Sequence, residues 1–172
     1  FGRDAAIDYT ATVLRWMDRY LKGIVSGVEE PPVMVFVMGA NQWRDSETWP
    51  IPGTEADTLY LRSSAGSAGS GRLLPTPSGT GDAVSVIHSD PGDPLRDPFD
   101  GAFGAHDYRA LPGRSELVVF ETAPFDAPYE LIGQVAAELA VSASVPDFDL
   151  WLQLYDVAPD STAWNLASPG TA

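Results

Sequence analysis

The period of apolar and polar positions changes along the chain. From Asp4 to Lys22 there is no Gly or Pro, and Tyr9, Val13, Trp16, Met17 and Tyr20 recur at helical spacing. Ile7, Leu14 and Leu21 widen the same side, so the segment predicts an amphipathic helix. Asp4 is placed to cap its N-terminus, Arg19 and Lys22 suit the negative end of the helix dipole, and Gly23 suits the position past the last turn. The stripe is broad for one helix at the end of a small domain. It implies a partner surface, in the rest of this chain or in a further domain.

After Pro31-Pro32 the pattern turns to strands. Residues 33–38 form a continuous apolar run, which predicts a strand covered on both faces. Residues 58–61, 83–88 and 116–122 predict further short strands. Val135, Ala137, Leu139 and Val141 alternate with less apolar neighbours, as do Phe148, Leu150, Leu152 and Leu154. No helical segment separates these strands, so the class predicted is mainly β: an antiparallel sandwich preceded by one amphipathic helix. Two stretches lack any period. Residues 62–82 are rich in Gly and Ser with Pro75 and Pro77, and predict a flexible connection. Residues 90–114 carry Pro91, Pro94, Pro98 and Pro112, and loops of that length inside a compact domain are often functional.

Charge narrows the partners. The chain has 172 residues with 24 Asp and Glu against 10 Lys and Arg, a formal net charge of −14. Phosphates and anionic headgroups would repel it, which argues against nucleic acid and membrane surfaces as partners. A chain of this length hides roughly 70% of its unfolded surface, enough for one core. The absence of cysteine excludes disulfides, thiolate metal sites and a thiol nucleophile, and leaves the compartment open. No apolar run approaches the roughly 20 residues a membrane helix needs. The chain opens on Phe1 with no basic-then-apolar leader, and reads as a piece of something longer.

Candidate chemistry is sparse. A nucleophile elbow needs Gly-x-Ser-x-Gly, because only small neighbours fit the strained turn. Neither Gly66-Ser67-Ala68-Gly69-Ser70-Gly71 nor Ser78-Gly79-Thr80-Gly81 matches it, and no phosphate-binding glycine loop is present. The two histidines, His88 and His106, have no Ser or carboxylate placed beside them by the pattern, so no catalytic residue is predicted. Asp90, Asp93, Asp97 and Asp100 crowd one loop, but their spacing fits no calcium loop and turn formation explains them. No metal or cofactor is expected. Trp43 and Trp49 could bind sugars or proline-rich peptides; with Trp16 they are read as structural anchors.

Taken in order, several segments resemble one family. Phe1-Gly2-Arg3-Asp4-Ala5 and the run from Leu14 to Gly23 are similar to the last helix of the catalytic domain in CocE/NonD-type serine hydrolases, which include acyl esterases and X-Pro dipeptidyl-peptidases. Pro31-Pro32-Val33, then Trp43-Arg44-Asp45 and Trp49-Pro50, resemble the start of their C-terminal jelly roll, and Leu59-Tyr60-Leu61 its next strand. Asp90-Pro91-Gly92-Asp93-Pro94 resembles a recurrent Asp-Pro-x-Asp-Pro, and Asp107-Tyr108-Arg109 stands where the family has Asp-Gln-Arg, with Tyr replacing Gln. Tyr129-Glu130-Leu131-Ile132-Gly133, Pro146-Asp147-Phe148-Asp149 and the run from Leu154 to Asp160 resemble later strands.

The resemblance implies a galactose-binding-like jelly-roll sandwich over residues 31–172, with residues 1–30 as the last helix of an α/β-hydrolase domain plus a linker. It places the catalytic Ser and Asp in that preceding domain and the His just upstream of Phe1, and it implies further strands after Leu166. The sandwich would pack on the hydrolase domain and help wall a pocket for a small acyl ester or short peptide. Phe99 and Phe103, in the loop after Asp-Pro-x-Asp-Pro, would line it. Homo-oligomer formation stays open. The alternative is a free-standing module that binds carbohydrate or protein, against which the apolar stripe of the first helix argues.

Overall fold

The computed structural model describes residues 3–25, 31–63, 70–77, 84–100, 102 and 104–166. Its elements are a 3₁₀ turn (Arg3–Ala5), α1 (Tyr9–Lys22), β1 (Val33–Val37), β2 (Gln42–Ser46), β3 (Tyr60–Ser63), β4 (Ser70–Leu74), β5 (Val119–Glu121), β6 (Tyr155–Val157) and β7 (Ala163–Asn165). The protein is mainly β, with antiparallel sheets and a single α-helix among the described residues, as the patterning predicts. It forms two compact units: Phe1–Ala56 with Tyr129–Glu138, and Asp57–Pro128 with Leu139–Ala172.

In the first unit, the cap of α1 lies four residues later than expected, at Asp8 instead of Asp4. Asp8, in extended conformation, accepts the Ala11 amide on its side chain at 2.9 Å, and its carbonyl accepts the Thr12 amide at 2.9 Å. The side-chain bond satisfies one orphan donor of the first turn and the carbonyl takes the first bond of the helix ladder, while Asp4 lies in the separate 3₁₀ turn. The other end follows expectation: Gly23 takes the left-handed conformation at φ 69°, and Arg19 and Lys22 occupy the last turn. No residue of α1 is buried.

The apolar run 33–38 forms β1, but it is not covered on both faces. Among the described residues it pairs with β2 alone, in antiparallel register from Val33↔Ser46 to Val37↔Gln42, and Met34 stays exposed. The turn between them uses Gly39 at φ 79° and Asn41 at φ 53°, the two residue types that best tolerate this region. A two-stranded hairpin has no second layer of its own, so an apolar sequence does not by itself secure two covered faces. The Arg44 guanidinium on β2 holds Glu130 in a bidentate pair at 2.5 and 2.9 Å. That pair keeps the Glu130 carboxyl below the usual range.

In the second unit, β4 lies inside the segment expected to be a flexible connection. Leu73 and Leu74 pair with Leu61 and Tyr60 on antiparallel β3, so two apolar pairs outweigh the glycine-rich composition. Gly71 is required at its position, because a Cβ there would overlap the Phe120 ring and crowd the Arg62 carbonyl. β4 also pairs with β5, in parallel, a geometry that needs the long connection formed by residues 75–118. Three other expected strands are corrected. Residues 84–88 and the alternating stretches around 135–142 and 148–154 carry no strand, and Val135, Val141, Phe148 and Leu152 are exposed. Alternation specifies which side chains share a face; a strand also needs a neighbour to complete its ladder.

The last hairpin, β6–β7, is closed by a turn in which Ala158 donates to the Thr162 carbonyl at 2.9 Å and Ser161 sits at φ 67°. Among the described residues of this unit, Tyr108, Thr162 and Asn165 are buried. Among the described residues no helix is long and apolar enough to cross a membrane.

Candidate functional site

Short aspartate turns shape the loop of residues 90–114. Asp90 accepts the Gly92 amide at 2.7 Å and Asp97 accepts the Phe99 amide at 2.8 Å, so two of the crowded acids are turn formers as expected. Arg114 ties Asp93 back to the start of β5's approach, donating to the Asp93 carboxylate at 3.1 Å and to Glu116 at 2.7 Å. That guanidinium holds the Glu116 carboxyl below its usual range.

The loop then runs alongside β7. The Tyr108 amide donates to the Ala163 carbonyl at 2.8 Å, and Asp107 forms a β-bridge with Trp164. Asp107 is the centre of a clamp: its carboxylate accepts the amides of Ala163 and Arg109, both at 3.1 Å, and pairs with the Arg109 guanidinium. Burial pushes its carboxyl up, but the two amides and the guanidinium outweigh that and hold it below the usual range. Arg109 continues to the Thr162 hydroxyl at 2.6 Å. Asp160 accepts the Thr162 amide at 3.0 Å and is likewise held low, first by the Thr162 hydroxyl and amide. Asn165 completes the clamp, accepting the His106 amide at 2.6 Å and donating to the Gly104 carbonyl at 3.2 Å.

Over this polar clamp lies an aromatic cluster. Phe99 stacks on the His106 imidazole with centroids 4.4 Å apart and meets Tyr108 edge-on at 5.0 Å. Tyr108 packs against Tyr155 on β6 at 5.1 Å and is only 3% exposed. Its hydroxyl donates to both carboxylate oxygens of Asp97, at 2.9 and 3.1 Å. Burial, then the Asp97 bond and charge, push its phenol up to about 12; burial pushes Tyr155 to about 12 as well. Among the described residues, the buried His106 Nε2 lacks a hydrogen-bond partner. No group of three metal-binding side chains gathers among the described residues. The arrangement fixes the loop against the β6–β7 hairpin.

Of the residues singled out from the sequence, Phe99 is half-buried in this cluster, while Phe103 lies outside the described residues. Trp43, on β2, donates its indole N–H to the Asp4 carbonyl at 2.7 Å and packs edge-on against Phe36 at 5.3 Å. Trp16 and Trp49 are exposed, and Trp16 pairs with Tyr20 at 4.8 Å. Sequence reasoning missed Thr162 and Asn165. The Asp160-Ser161-Thr162 turn was the available signal for the first; Asn165 had none, because its partners are backbone groups some 60 positions away.

Comparison with known proteins places the chain in a family. A family model described as "X-Pro dipeptidyl-peptidase C-terminal non-catalytic domain" matches residues 26–171. The chain is 36% identical over 160 residues to cocaine esterase of Rhodococcus sp. (strain MB1 Bresler), covering 86% of this chain and 27% of that protein. It is 31% identical over 163 residues to a Streptomyces avermitilis protein named as an Xaa-Pro dipeptidyl-peptidase, covering 94% of this chain and 22% of that one. A Mycobacterium bovis protein named as a serine esterase is 29% identical over 159 residues, covering 88% of this chain and 24% of that protein. The chain thus spans about a quarter of the length of the curated relatives it matches. With a loop clamped for position and a family match over nearly the whole sequence, the chain belongs to the non-catalytic C-terminal domain family of the X-Pro dipeptidyl-peptidases.

Proposed function

We propose that this domain is the C-terminal jelly-roll sandwich of a CocE/NonD-type serine hydrolase and forms one wall of its substrate pocket. Residues 1–30 are the last helix of the α/β-hydrolase domain with its linker, and residues 31–172 are the sandwich. The parent cleaves a small acyl ester or an X-Pro peptide through an acyl-enzyme, with a Ser activated by His in the preceding domain. This domain supplies shape and stability, and the loop bearing Phe99 and Phe103 presents apolar rings to the acyl group.

The observation that carries this reading is the exposed apolar stripe of α1: Tyr9, Val13, Leu14, Trp16, Met17, Tyr20 and Leu21 are all exposed. Apolar surface on that scale marks an interaction face. The start of the family match at residue 26, beyond α1, supports assigning the helix to the neighbouring domain. In this reading Trp16 anchors the helix on the hydrolase domain, while Trp43 and Trp49 anchor the sandwich side. The test is hydrolysis of p-nitrophenyl esters and Xaa-Pro p-nitroanilides by residues 1–172 and by the full-length protein. The full-length protein is expected to turn over a member of one series and residues 1–172 none. Serine-dependent turnover by residues 1–172 would contradict the proposal.

A further inference from the structure

We infer that Tyr108 is a specificity-determining positioning residue: by fixing Phe99 it sets the size of acyl group the pocket accepts. The inference rests on the pocket reading above and goes beyond it, since Tyr108 is a buried residue behind Phe99 that the pocket reading does not use.

Phe99 is held through its backbone, where its amide donates to Asp97 and its carbonyl accepts the Ala102 amide, and through its ring, which meets His106 and Tyr108. Its backbone amide donates to Asp97 at 2.8 Å, and the same carboxylate takes the Tyr108 hydroxyl at 2.9 and 3.1 Å. Its ring meets the Tyr108 ring edge-on at 5.0 Å while its other contact, the stacked His106, belongs to the same strand-like run. Tyr108 itself does not move freely. Its amide is bonded to Ala163 on β7, its ring lies against Tyr155 on β6, and it is 3% exposed. The chain of contacts therefore runs from the β6–β7 hairpin through Tyr108 and Asp97 to Phe99. A Gln at this position could donate to Asp97 only from a different height and would leave the edge of Phe99 without a ring to meet. The Phe99 turn would then settle elsewhere, and a wall displaced by about 1 Å is enough to change turnover severalfold or more.

The test uses the full-length protein and pairs of substrates differing in acyl size, p-nitrophenyl acetate against p-nitrophenyl benzoate, with alanyl-prolyl and phenylalanyl-prolyl p-nitroanilides as the peptide pair. Phe99→Ala establishes whether Phe99 is the wall; it is expected to move the large-to-small ratio of kcat/KM by about tenfold, chiefly through KM. Tyr108→Phe keeps the buried ring and removes only the bond to Asp97, and Tyr108→Gln installs the family residue. Each is expected to move the ratio in the same direction by about three- to tenfold, and Tyr108→Phe added to Phe99→Ala is expected to add nothing, because both act through one ring. A purely structural Tyr108 would lower all four rates together without changing the ratio. If Phe99→Ala shifts the ratio and Tyr108→Phe leaves it within about twofold of the parent, a change too small to count as discrimination, the inference fails and the pocket reading stands. If Phe99→Ala leaves the ratio unchanged, or the full-length protein turns over none of the substrates, both fail.

Discussion

Helix α1 and the loop of residues 97–109 each pair aromatic rings at close range, and they treat them in opposite ways. On α1, Trp16 and Tyr20 sit 4.8 Å apart with relative exposures of 58% and 63%. In the loop, Phe99 and Tyr108 sit 5.0 Å apart, and Tyr108 is 3% exposed. The difference lies in what surrounds each pair. Tyr108 has Tyr155 against its ring, Asp97 on its hydroxyl and Ala163 on its amide. The rings of α1 have their own helix for support, and no residue of that helix is buried. A buried aromatic whose polar tip is satisfied stabilises the unit that contains it. An exposed aromatic stripe stabilises only what docks on it.

The sharpest way to break this contrast is to remove one ring from each region. Tyr108→Ala is expected to cost about 3–5 kcal/mol, the range for deleting a buried aromatic, read as a lowered urea midpoint. Gly71→Ala tests whether the second unit is close-packed away from the cluster. The added methyl must displace the Phe120 ring, so a cost of about 1–3 kcal/mol is expected in the same measurement.

The clamp under the aromatic cluster and the Arg114–Glu116 pair add a pH signature. Asp107, Asp160 and Glu116 have depressed folded pKa values, so their contribution is fully present above the unfolded values of 3.8 and 4.5 and is lost as pH falls through the lower folded values. Tyr108 and Tyr155 have raised folded values, so theirs is present below pH 10 and is lost as pH rises towards about 12. Melting temperature against pH is expected to fall at both ends. Asp107→Asn should flatten the acid limb and Tyr108→Phe the alkaline one. The smallest effect belongs to α1: Trp16→Ala in residues 1–172 is expected to stay within about 0.5 kcal/mol of the parent by the same urea measurement, as for a surface substitution.

Where local chemistry decided the structure, it was legible in the sequence. Gly23 ends α1 because glycine alone takes the left-handed turn without penalty, and Asp90 and Asp97 form turns because a short carboxylate reaches its own backbone two residues on. Where a distant partner decided, it was not. Asp8 replaced Asp4 as the cap because the 3₁₀ turn ends at Ala5 and the chain re-enters helix later, which composition does not encode. β4 was hidden because the glycine-rich stretch around it reads as a linker while its pairing depends on Tyr60, Leu61 and the ring of Phe120. The converse error arose at Phe148, Leu150 and Leu152, where alternation promised a strand and no ladder partner meets it. At the candidate site, Phe99 was legible as an aromatic in a functional loop. Its dependence on Tyr108, Asp97 and β7 required the fold.

The central claim, that α1 is the face on which a hydrolase domain docks, is tested most directly by amide hydrogen exchange of α1 within the full-length protein. The account predicts that the amides of residues 13–22 are protected to the level of the β3–β4 pair, because the stripe of Val13, Trp16, Met17 and Tyr20 is covered there. Exchange of those amides at the rate of an exposed, fraying helix would contradict it.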